Sequence, residues 1–156
     1  MNIRQAIASD SLLLSSLCMD VQRLHAESHP DIFKMPQSDD FAITFFDEML
    51  ADPSVAIYIA EADAQALGYI FCKLFERPES VFTHPNRFLQ IEHISVRRDV
   101  QRQGVGRALM DQAEKLALEL GVTKTQLDSW DFNAEAHTFF ERLGFAKFNF
   151  RFWRKL

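Results

Sequence analysis

Leu13, Leu17, Val21 and Leu24 recur at three- and four-residue steps, the spacing of one helix face. Ser9 or Asp10 stands where a capping side chain belongs, and Pro30 lies beyond the run, so a first helix is predicted there behind a short strand over 2–7. His29 to Phe33 reads as a loop. Phe41, Phe45, Met49 and Leu50 predict a second helix, capped by Ser38 or Asp39 and closed before Pro53. The apolar positions then change period. Val55 to Ala60 and Leu67 to Phe75 predict two antiparallel strands joined by a hairpin at Ala62-Asp63-Ala64-Gln65, and a polar loop with Pro78 and Pro85 follows.

From Phe88 onward the pattern reads strand, helix, strand, helix, strand. Phe88 to Val96 is a strand candidate, and Arg97 to Gln103 a charged turn. Gly104 to Leu120 carries Leu109, Ala113, Leu116 and Leu120 on one face and ends at Gly121. Thr123 to Trp130 is a further strand, and Asn133 can cap a helix with Ala136, Phe139, Phe140 and Leu143 that closes at Gly144. Phe145 to Trp153 reads as a last, aromatic strand. Such an alternation implies partly parallel pairing with helices covering the sheet, an α/β (α+β) fold. Within the strand over 88–96 the apolar parity switches between Leu89, Ile91 and Ile94, Val96, which either a β-bulge near Glu92-His93 or a strand buried on both faces would produce.

The chain has 156 residues, 47% of them hydrophobic, which suits one compact domain and leaves too little for two. A formal charge of −5 provides no overall positive field for nucleic acid. No run of about 18 apolar residues and no signal-peptide pattern is found, so neither a membrane span nor secretion is expected. Cys18 and Cys72 have no metal-ligand or disulfide spacing and suit a reduced cytoplasm.

The densest chemistry lies in Gln101-Arg102-Gln103-Gly104-Val105-Gly106-Arg107, between a predicted strand and a predicted helix. Glycines let a ligand approach the backbone, and the first N–H groups of a helix lack intrahelical partners at its positive end. That combination favours phosphate or pyrophosphate. Arg97, Arg98, Arg102 and Arg107 add positive charge to this one stretch of an acidic chain. A dinucleotide-binding unit opens in the same way, and Asp128 stands about 20 residues on, where a ribose-binding acid would lie. Its third glycine is missing, however, because Leu109 fills that position, and only about fifty residues follow the motif.

The stretch from Val96 to Leu109 resembles the acetyl-CoA signature of the GNAT family of N-acetyltransferases, Q/R-x-x-G-x-G/A after a strand. Leu127-Asp128-Ser129, Asn133-Ala134 and Phe139-Phe140-Glu141-Arg142-Leu143-Gly144-Phe145 resemble the family's downstream segments in order and spacing. The resemblance covers 88–145 and implies a twisted mixed sheet of about six or seven strands with about four helices. It implies a sheet splayed between the 88–96 and 123–130 strands, with acetyl-CoA as cosubstrate and an amine as acceptor. By the same resemblance Ile94, Ser95 and Val96 would hold the pantetheine arm, and the amides of Arg102, Gln103, Gly104, Val105, Gly106 and Arg107, with Gln101 beside them, would hold the pyrophosphate. Asn133 and Phe140 would lie near the thiol. No metal is implied.

An acceptor amine must lose a proton before it attacks, and a carboxylate in reach can take it. Glu92 is the first candidate, in the strand that would hold the thioester. Asp128 is the second, in a strand resembling that of ribosomal-protein N-terminal acetyltransferases. His93, of opposite parity to Glu92 in a regular strand, is expected to be packed. The family's usual thiolate-protonating tyrosine is replaced here by Phe140, so a non-catalytic acyl-CoA-binding module of the same fold is the alternative function. His25, His29 and Phe33, after the first helix, are candidates for the acceptor side; a zinc site at His25 and His29 lacks a third ligand. The aromatic C-terminus predicts subunit contact and a homodimer.

Overall fold

The computed structural model describes residues 1–156. Five strands form one sheet in the order β1 to β5: β1 (Asn2–Gln5), β2 (Val55–Ala62), β3 (Gln65–Arg77), β4 (Asn86–Val96) and β5 (Thr125–Leu127). The first four pair antiparallel, and β5 lies parallel to β4. Four helices flank the sheet: α1 (Ser11–Ser28), α2 (Ile43–Ala51), α3 (Val105–Glu119) and α4 (Ala134–Arg142). Short 3₁₀ turns precede α1 at Ala8–Asp10 and follow β4 at Arg98–Val100.

The two faces of the sheet carry separate cores, as strand alternation requires. Ile70, Cys72, Leu89 and Ile91 face α3, where Leu109, Met110 and Ala113 are fully buried. Ile57, Ile59, Tyr69 and Phe71 face the other way, against Leu14 and Leu17 of α1 and Phe46 of α2. The hairpin falls where expected, with Asp63 and Ala64 both at positive φ (50° and 61°) in a two-residue turn whose twist suits the flanking strands. Gly121 and Gly144 end α3 and α4 at φ 67° and 89°. Asn133 caps α4, its Oδ1 accepting from the Ala136 amide at 3.2 Å.

Four expectations need correction. The sheet has five strands rather than six or seven. The strand expected over 123–130 is only Thr125–Leu127, because the chain turns away towards α1 with two large aromatic side chains, Trp130 and Phe132. The last strand does not form: residues 146–156 are exposed, and none makes a backbone hydrogen bond. α2 begins only at Ile43, because Ser38 bonds the Asp40 carboxylate and the chain from 38 to 42 stays in turns.

Candidate functional site

The switch in β4 is a bulge at Glu92. Phe71 faces His93 and Cys72 faces Ile91, which leaves Glu92 as the extra residue. Before the bulge the Leu89 N–H points to β5, donating to Lys124 O at 3.0 Å; after it the Arg97 N–H points to β3, donating to Leu67 O at 2.9 Å. Backbone groups alternate between edges. The peptide groups of Ile94 and Val96 therefore turn to the β5 side, where β5 pairs only with Leu89 to Ile91 and has ended. The sheet is thus open along the outer edge of Ile94 and Val96. Gln101 already reaches that edge, its Nε2 donating to Val96 O at 3.1 Å. Ser95 is engaged elsewhere: its side chain is buried, and its Oγ donates to Leu17 O at 2.7 Å, tying β4 to α1.

The turn from Gln101 to α3 lies just beyond that open edge. Arg102 (φ 61°) and Gly104 (φ 87°) are both left-handed. None of the N–H groups from Arg102 through Arg107 finds a backbone acceptor, so six consecutive donors stand at the positive end of a 15-residue helix. A Cβ built on Gly104 meets nothing within 4 Å, so the space above this turn is empty. Gly106 answers a different need. A Cβ there would stand 3.2 Å from Phe139 Cζ, so the glycine lets α3 approach α4 beside Val96. Of the four arginines, Arg97 pairs with Asp99, Arg98 with Asp20 and Arg107 with Asp111, and Arg102 makes no ion pair. The Gln103 side chain reaches Asp99 O at 3.4 Å. This donor set fits an anionic, phosphate-bearing group.

Because Glu92 is the bulged residue, Glu92 and His93 both face α1 and α2, although a regular strand would separate them. Gln90 shares that face and donates from Nε2 to Asp128 Oδ2 at 3.2 Å. Burial and then the Asp128 charge push the Glu92 carboxyl above its ordinary value, with Lys73 opposing. Glu92 keeps part of its surface in water, which limits that rise. Phe140 is buried in the core with Phe139 and Phe145 at ring distances of 5.3 and 6.0 Å.

His93 forms part of the wall of a cavity of about 670 Å³ between α1, α2 and the loop joining them, with Ile32, Phe33, Met35, Phe41 and Phe45 among its neighbours. Its Nδ1 lies 3.2 Å from the Tyr69 hydroxyl, and its ring stacks on Phe45 at 5.8 Å. Burial first, and the nearby His25 second, lower its pKa from 6.5 to about 4. A histidine depressed in the folded state stays neutral while the unfolded chain takes up a proton, so stability falls as pH drops from about 6.5 to about 4. His93→Gln is expected to flatten that loss, which amounts to at most about 3 kcal/mol. Thermal midpoints of both proteins measured from pH 7 to pH 4 check this.

The three residues proposed for the acceptor side come together, with partners the sequence did not reveal. Phe33 touches His25 (4.9 Å) and Trp130 (5.0 Å), and His29 touches Trp130 (5.3 Å) and Phe132 (5.5 Å). His25 also donates from Nδ1 to Val21 O at 2.7 Å. This aromatic cluster joins the end of α1 to the loop after β5, and Phe33 also lines the cavity. Its signal in sequence was two large aromatics, Trp130 and Phe132, in an otherwise polar connection. No three His, Cys, Asp or Glu side chains group to hold a metal, and no helix is long and apolar enough to cross a membrane.

A profile of the acetyltransferase (GNAT) family matches residues 19–145, which span the bulged strand, the open turn and α4. The chain belongs to the GNAT family. An uncharacterised N-acetyltransferase of Lactobacillus delbrueckii subsp. lactis, from the pepI 3′ region, is 27% identical over 100 residues. That match covers 64% of this chain and only 57% of the relative. Among solved structures, a tetramutant of the BH1408 protein from Bacillus halodurans superposes with a TM-score of 0.94 at 20% identity, over 100% of both chains. The aminoglycoside 6′-N-acetyltransferase AAC(6′)-Ig from Acinetobacter haemolyticus gives 0.72 at 22% identity, over 100% of this chain and 99% of that one. Identities this low establish a shared fold, not a shared substrate.

Proposed function

We propose that this GNAT member is an acetyl-CoA-dependent N-acetyltransferase whose acceptor is a primary amine on an apolar body. The observation that carries the reading is the run of six unpaired amides, Arg102 to Arg107, beside the edge of Ile94 and Val96 that no neighbouring strand covers. The amides are suited to a pyrophosphate, and the strand edge to an amide-bearing arm that adds to the sheet as a further strand would. Bound there, acetyl-CoA supplies an activated acyl group. Glu92 takes the proton of the acceptor ammonium, for which its raised pKa and its place on the acceptor face suit it. Asp128, held by Gln90, is the second carboxylate of the site.

The acceptor's body belongs in the cavity beside His93. None of the residues lining it is acidic, Lys34 is its one charged side chain, and His93 is neutral at pH 7. Polycations need carboxylates there to replace their hydration; an aliphatic or aromatic amine needs only apolar walls.

Mixing the protein with acetyl-CoA and a panel of arylalkylamines, amino acids, peptides, polyamines and aminoglycosides, and following free thiol, tests both parts. Thiol release is expected to be fastest with amines of apolar body. Faster release with spermidine or an aminoglycoside would overturn the acceptor class and keep the activity. Phe140, which has no hydroxyl to donate, favours one alternative, a non-catalytic acyl-CoA-binding module. Tight acetyl-CoA binding without thiol release from any acceptor would establish that alternative.

A further inference from the structure

Tyr69 is wholly buried, and a buried hydroxyl needs a hydrogen-bond partner. That partner is His93 Nδ1 at 3.2 Å, and the Cys18 thiol lies beside the same hydroxyl. Sulfur is a weak acceptor, so the phenol O–H donates to the imidazole nitrogen. Burial keeps the ring neutral at pH 7. A neutral imidazole carries one N–H, and with Nδ1 accepting, the proton sits on Nε2. Nε2 makes no hydrogen bond within the chain, and no side-chain nitrogen or oxygen is both sealed from solvent and unpartnered. The Nε2–H therefore stays open to the space beside it, in the wall of a cavity where its stacking neighbour Phe45 has no acceptor to offer.

We infer that His93 is a specificity residue for the acceptor: its Nε2–H donates to an oxygen of the amine substrate, and Tyr69 is the positioning residue that holds the proton on that nitrogen. The inference rests on the reading that places the acceptor's body in this cavity, and it adds one polar feature to that body. The bulge says where along the substrate the oxygen lies. Glu92 and His93 are successive residues turned to one face, and successive Cα atoms stand about 3.8 Å apart. An amine at Glu92 thus has its neighbouring carbons beside His93, so the oxygen belongs on the carbon next to the one that bears the nitrogen. The acceptor is then a vicinal amino alcohol or an α-amino carbonyl compound with an apolar side chain. An amine without that oxygen leaves the His93 N–H unpaired when it fills the cavity, and a site built around a hydrogen bond rejects such a ligand.

Nitrogen–proton correlation NMR of the His93 ring is expected to show the proton on Nε2 in the wild type and a mixture of tautomers in Tyr69→Phe. Titration calorimetry with phenylalaninol, phenylalaninamide and the oxygen-free α-ethylphenethylamine reads the second half. At least one of the first two should bind roughly tenfold tighter than the third, the worth of one hydrogen bond, and the tighter of them identifies the oxygen as hydroxyl or carbonyl. His93→Gln keeps an N–H in nearly the same place and should keep the preference. Tyr69→Phe combined with His93→Leu removes both partners, leaves no orphaned hydroxyl and should erase it. A wild-type proton on Nδ1, equal affinity for all three amines, or a preference that survives the paired substitution would each overturn the inference. Both measurements are made without acetyl-CoA, so selective binding with no thiol release would keep the inference and overturn the activity instead.

Discussion

Gly104→Asp is expected to weaken acetyl-CoA binding on the order of 10²-fold while the protein stays folded. The substitution has two effects, and only one of them bears on binding. At φ 87° any L-residue is strained by about 1–2 kcal/mol, because its Cβ crowds the carbonyl oxygen. That cost falls on the turn whether or not ligand is bound. The added carboxylate acts only against an anion held by the amides of residues 102–107. Unit charges about 5 Å apart at an effective dielectric near 20 repel by about 3 kcal/mol. Gly104→Asn matches the aspartate in shape and tolerates the left-handed region, but carries no charge. Calorimetry with acetyl-CoA should therefore place the asparagine variant near the wild type and the aspartate variant far weaker. Equal affinity in the two variants would mean that no phosphate sits above this turn. Gly106 is the poorer probe, because a side chain there meets Phe139 before it meets a ligand.

What could be read in the sequence was what local rules determine. The parity switch between Ile91 and Ile94 left two readings of β4, a bulge or a strand buried on both faces, and the pairing of Phe71 with His93 and of Cys72 with Ile91 decides for the bulge. Gly121, Gly144 and Asn133 ended or began helices where their conformational and capping preferences place them. The consequence of the bulge for His93 was not legible. Alternation puts Glu92 and His93 on opposite faces, and only an observed extra residue puts both on the face towards α1 and α2. Trp130 falls within the strand expected over 123–130, yet its contacts with His29 and Phe33 lie about a hundred residues back along the chain. The aromatic C-terminus shows the same limit from the other side. Its period is that of a strand, yet no backbone group after Phe145 is paired, because periodicity does not supply a neighbouring edge.

Glu92→Gln is expected to lower kcat by roughly 10²–10⁴-fold, the span a positioned general base contributes, and to leave acetyl-CoA affinity unchanged. The amide keeps the size of the side chain and removes its basicity. The loss should shrink at high pH, where more acceptor is already free amine, so the two pH–rate profiles should converge on the alkaline side. Stability should move the opposite way. The Glu92 carboxyl is held above its ordinary value, by burial first and then by Asp128. Its folded-state pKa therefore exceeds the unfolded one, and ionisation costs the folded state free energy. The cost is absent below the unfolded pKa, grows through the interval between the two values and is complete above the folded one. At pH 7 the variant should accordingly melt above the wild type, and the difference should vanish as the pH falls below the range in which Glu92 titrates. A general base that is poised by desolvation ties the two signs together: the same burial that makes the carboxylate a better proton acceptor makes it a worse neighbour for the fold. Full activity in Glu92→Gln at neutral pH would transfer the role to Asp128, which Gln90 already holds in place on the same face.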